Sequence, residues 1–123
     1  MKHTKTLALI GCLLILNGCA TILPGNDPVV VRAEQTLKSS VTIMHSFLTY
    51  EEKNRIVLLQ TQPEVNIVAE KLRREAPPII QSVKMRIRDY KANRNAQNKQ
   101  FMDVMINVLE GMADEVSQQL TKY

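Results

Sequence analysis

Apolar side chains recur at three- and four-residue intervals through most of this 123-residue chain, the period of an α-helix with one buried face. The first such stretch sets Val30, Ala33, Leu37, Val41, Met44 and Leu48 on one side. Asp27-Pro28 in front of it is a strong start: Asp can accept from orphan amides, and Pro is preorganised for the first helical position. The pattern predicts a helix from here to about Gln60, roughly 50 Å at 1.5 Å per residue. Glu51, Glu52, Lys53 and Arg55 interrupt the stripe, and Ile56 to Leu59 resume it. Val30, Leu37 and Met44, with Val41 and Leu48, would also suit a coiled-coil seam, but the charges at 51, 52 and 55 spoil it and favour packing within the chain.

Thr61-Gln62-Pro63-Glu64 is the next stop and start. Thr61 with Glu64 reads as a capping box, and Pro63 fits a first turn. Val65, Val68, Leu72 and Ala76 carry the second apolar face, which Ile80, Val83, Ile87 and Tyr90 continue beyond Pro77-Pro78. Each of those prolines removes an amide and crowds the preceding turn. The segment from Glu64 to about Lys91 should therefore be one bent rod, or else two short helices. Asn93-Arg94-Asn95 is a polar turn with Asn95 as a cap. A third face follows at Phe101, Met105, Val108, Met112, Val116 and Leu120, where Gly111 would let a neighbouring helix approach closely. Three rods joined by short turns predict an all-α fold, a small antiparallel helical bundle with its middle helix bent or broken at Pro77-Pro78.

The N-terminus follows a different pattern. Lys2 and Lys5 precede an almost unbroken apolar run from Leu7 to Leu16, and Gly18 stands before Cys19. A basic start, a short apolar stretch and a small-residue cleavage site describe a secretory signal peptide. The run is too short to cross a bilayer, which takes about 20 apolar residues. The expected organisation is a signal peptide over 1–18, a tether over 19–26 containing Pro24-Gly25, and a helical domain over 27–123.

Leu16-Asn17-Gly18-Cys19 resembles the lipobox of bacterial lipoproteins. The resemblance implies cleavage between Gly18 and Cys19, a diacylglyceryl group on the Cys19 thiol, and acylation of the new amino group. Asn17 departs from the small or aliphatic residue usual there. Leu9-Ile10-Gly11-Cys12 matches the letters too, but behind a shorter apolar run. Two or more acyl chains give stable attachment where one does not, at about 0.8 kcal/mol per buried CH₂. The implied partner is thus a lipid bilayer, held through acylated Cys19. Ala20, where Asp commonly marks inner-membrane retention, implies the periplasmic face of the outer membrane.

Composition narrows the chemistry. Loss of Cys12 with the leader and acylation of Cys19 would leave no thiol for disulfides, redox work or metal binding. There is no Trp, and aromatics make up only 4% of the chain, so Val, Ile, Leu and Met must build the core. Without Lys2 and Lys5, fourteen basic residues face twelve acidic ones. Nine of the fourteen fall between Lys71 and Lys99, forming a basic band. Lys84, Arg88 and Lys91 recur at i, i+4 and i+7, hence on one side of a helix, and form a candidate face for an envelope protein or an anionic lipid or saccharide. The bland alternative is a solvated charged surface. Nucleic acid fits poorly, because no aromatics are interleaved with the charges.

No catalytic, cofactor or metal site is expected. His45 has no second His and no Cys beside it, and Ser39, Ser40 and Ser46 have no credible base. Met44, Met85, Met102, Met105 and Met112 read as core filling. The opening residues and Thr121-Lys122-Tyr123 faintly resemble the major murein-linked lipoprotein of enteric bacteria, but Tyr123 follows the last lysine and the prolines break that family's single helix. Size and lipobox also resemble phage-encoded lipoproteins such as outer spanin subunits. The expected function is a non-enzymatic structural or interaction module of the bacterial envelope, with a phage lysis or superinfection-exclusion lipoprotein as the alternative.

Overall fold

Asp27 opens the first helix with its own side chain: Oδ1 accepts from the Val29 amide at 2.9 Å, and Pro28 follows in the first turn. The computed structural model describes residues 27–122, so the expected signal peptide, Gly18, Cys19 and the expected tether lie outside the described residues. Helix α1 spans Pro28–Thr61, α2 Pro63–Ala92 and α3 Ala96–Thr121. Among the described residues there is no strand.

Only Gln62 separates α1 from α2, its amide closing α1 on the Leu58 carbonyl at 2.8 Å. The expected capping box does not form. Thr61 still belongs to α1, and its hydroxyl donates to the Val57 carbonyl at 2.9 Å, the nearest acceptor for a threonine inside a helix. Gln62 is the N-cap of α2 without a side-chain cap bond. Asn95 does cap α3, accepting from the Asn98 amide at 2.7 Å.

Helix α2 is not two short helices; it runs unbroken through Pro77 and Pro78. Neither proline has the amide that would reach the carbonyls of Arg73 and Arg74. Both prolines are exposed while Ala76 beside them is buried, so the ladder is interrupted on the outer face, where water can serve those carbonyls.

The three helices pack against one another. Ion pairs from Asp27 to Arg94 and from Glu34 to Lys91 set α1 antiparallel to α2. Lys71 with Glu115, and Arg86 over the Phe101 ring, set α2 antiparallel to α3. Helices α1 and α3 therefore run parallel: Val29 and Ala33 flank a cleft with Ile106, and Phe47 and Tyr50 flank another with Gln119 and Leu120.

The core joins Val30, Ala33, Met44, Phe47 and Leu58 of α1 to Val65, Ala69, Leu72, Ala76, Val83, Ile87 and Tyr90 of α2, with Met102, Leu109 and Val116 of α3. Leu37, Val41, Leu48, Val68, Ile80, Met105 and Met112 pack half-buried around it. In α3 the expected face is buried only in part: Val116 is in the core and Met105 and Met112 pack half-buried against it, but the rest is displaced by one residue. Met102, Leu109 and Ala113 are buried, whereas Phe101, Val108 and Leu120 are exposed. Apolar residues lie on both sides of that stripe, so spacing alone does not fix the phase. Gly111 meets no neighbouring atom within 4 Å of where a Cβ would stand, so it serves no close helix approach.

Glu51 is the other departure. It does not break the buried stripe but belongs to it, with no exposed surface. Arg55 Nε donates to it at 2.9 Å from one turn away, and Arg73 donates from α2. The Asn66 amide, with its nitrogen toward Glu51, donates to Oε1 at 2.8 Å. Burial pushes the Glu51 carboxyl up, but the hydrogen bonds and charges of Arg55 and Arg73 outweigh it and hold the group below the ordinary 4.5. The arginines keep their outer ends in water, at 45% and 30% side-chain exposure, so the network neutralises one buried charge without burying three.

Candidate functional site

The last three turns of α2 put Lys84, Arg88 and Lys91 on one side because four- and seven-residue steps bring a helix back almost to the same azimuth. Ile87, among them in sequence, turns inward and is buried. Packing α1 alongside adds Leu37 and Glu34, and the six residues line a groove of about 240 Å³. Its chemistry is amphipathic: Leu37 and Ile87 supply apolar surface, and three cations and one carboxylate supply the polar surface. Glu34 pairs with Lys91, leaving Lys84 and Arg88.

The remainder of the basic band is neutralised by carboxylates of the same chain, mostly at the bundle surface. Lys71 bonds Glu115 at 2.9 Å, which raises the lysine's pKa above its ordinary value. Arg73 bonds Glu51 and Glu70, Arg74 bonds Glu75 at 3.1 Å, and Arg86 bonds Asp89 at 3.5 Å. Arg94 holds Asp27 at 2.9 Å, and Lys99 holds Asp103 at 2.6 Å. Asp27 sits below its ordinary 3.8, chiefly through the Val29 amide, against a smaller rise from burial and with help from Arg94. Of the nine cations between Lys71 and Lys99, only Lys84 and Arg88 have no ion-pair partner among the described residues. Most of the band is thus internal pairing, and the uncompensated part is concentrated in the groove.

A second cleft, about 320 Å³, lies between α1 and α3. It carries both signs, Arg32 and Lys99 against Asp103 and Glu110, and so favours no ligand charge. His45 is exposed on α1 and joins neither cleft. Ser40 is buried in the core, Ser46 is exposed, and Ser39 donates to the Thr36 carbonyl at 3.1 Å. No cluster of three metal-ligating side chains occurs among the described residues. No described helix is long and apolar enough to cross a membrane.

The i, i+4, i+7 spacing thus identified the three cations but not their apolar floor, which needs α1 in place. The buried Glu51 cluster was missed, although a signal was present: Val30, Leu37, Met44, Glu51 and Leu58 follow each other at seven-residue steps. No protein-family model, curated protein or solved structure matches the chain.

Proposed function

We propose that this chain is a lipid-anchored, non-enzymatic interaction module of the bacterial envelope, presenting a helical bundle from a bilayer surface. The observation that carries the reading is Leu16-Asn17-Gly18-Cys19 behind a short apolar run, followed by a helical bundle whose first described helix is capped by Asp27. The eight residues from Cys19 to Asp27 span at most about 29 Å when extended. The bundle end nearest the anchor is then the one where Arg94, in the α2–α3 turn, clasps Asp27. The groove of Lys84, Arg88 and Lys91 lies in that half and would face anionic material at the envelope.

Metabolic labelling with a clickable fatty acid tests the anchor. Wild type and Cys12→Ala should take up label, and Cys19→Ala should not. The mature N-terminus should be acylated Cys19 by mass spectrometry. Label on Cys19→Ala, or a wild-type product that keeps its first eighteen residues, would overturn the reading.

A further inference from the structure

An anionic group with apolar atoms continuing from it is the ligand that suits a groove with cations on its rim and aliphatic side chains on its floor. We infer that the groove between α1 and α2 takes the headgroup of an anionic phospholipid, the phosphate on Lys84 and Arg88 and the adjoining glycerol carbons on Leu37 and Ile87. The guanidinium of Arg88 matches phosphate with two parallel donors, and the ammonium of Lys84, one turn away, adds a point charge. Glu34 does not oppose this, because it is occupied by Lys91 and holds that side chain at the rim. At about 240 Å³ the groove is smaller than a typical pocket for a whole drug-sized molecule, so it accommodates a headgroup while the acyl chains stay in the bilayer.

Position selects the bilayer as the source. Lys84 lies eight residues before the end of α2, about 12 Å along the axis, and Lys91 is next to last. That end is clasped to Asp27, where the tether joins. Choosing a membrane lipid over a free phosphate rests on the anchorage proposed above.

Native mass spectrometry of the full acylated chain, released from detergent micelles doped with dioleoyl phosphatidylglycerol or dioleoyl phosphatidylcholine, tests the inference. The anionic lipid should be retained about tenfold better than the zwitterionic one, and Lys84→Gln/Arg88→Gln should lose about that factor, as for one or more charge-assisted hydrogen bonds. Lys53→Gln/Lys122→Gln, equally reduced in charge, should bind like wild type. Equal retention of both lipids, or no loss in the groove variant with its helical circular dichroism intact, would overturn the assignment. Displacement of the lipid by millimolar inorganic phosphate would overturn it in favour of a free phosphate. The same spectra report the acyl mass on Cys19, so a failed anchor is told apart from a failed groove.

Discussion

Glu51 occupies a place where the seven-residue rhythm of α1 calls for an apolar side chain, and its energetics follow from what surrounds it. Removing one partner of a buried charge leaves a desolvated group incompletely bonded, a cost of about 1–3 kcal/mol. Removing the charge itself takes away the reason for the network, and hydrophobic replacements of buried ion pairs are often neutral or better. Arg73→Met should therefore lower unfolding stability by about 2 kcal/mol in a urea titration, and the double replacement Glu51→Met/Arg73→Met should recover most of that loss. The lowered carboxyl pKa also fixes a pH limb. The unfolded chain binds a proton at Glu51 near 4.5 and the native state only at lower pH. This contribution is complete above that value and is lost as the pH falls through the lowered native pKa. Glu51→Gln should flatten the acid side of the stability–pH curve, with its deficit against wild type largest at neutrality and closing as the pH falls through the lowered native pKa.

The helices owe their boundaries to single residues whose roles could be read locally. Asn95 caps α3 through the Asn98 amide, so Asn95→Ala should cost about 1 kcal/mol. Gly111 is an exposed interior position of α3 with open space around it. Gly111→Ala should add about 0.5–1 kcal/mol, seen as a rise of a few degrees in the thermal midpoint. A fall would mean that a neighbour needs the missing methyl group's space. Thr61 and Gln62 were harder to read, since the same residues that end one helix begin the next, and α1 kept Thr61. Pro77-Pro78 were also misleading in sequence: proline disfavours helix strongly, yet here the missing bonds face solvent and the flanking residues Ala76 and Val83 are held by core packing.

Across the whole molecule, most ion pairs between helices are solvent-exposed at both partners, such as Lys71 with Glu115 and Lys91 with Glu34. Pairs of that kind are typically worth about 0–1 kcal/mol. Raising sodium chloride from 0.1 to 1 M should consequently shift unfolding stability by less than about 1 kcal/mol, measured by denaturant titration. The same salt change should sharply weaken retention of an anionic lipid in the groove. The bundle is then held by burial rather than by its surface ion pairs.

The sequence by itself determined that this body is helical, where its rods begin and end to within a residue or two, and that Lys84, Arg88 and Lys91 share a side, because capping, proline and periodicity act over one or two turns. Only the packing of the three helices decided that Glu51 is interior, that Phe101 is exposed, and that, among the described residues, seven cations of the basic band find ion-pair partners while Lys84 and Arg88 do not. Those outcomes depend on which side chains from distant parts of the chain meet, and a local pattern of apolar and charged residues is the same whichever neighbour arrives.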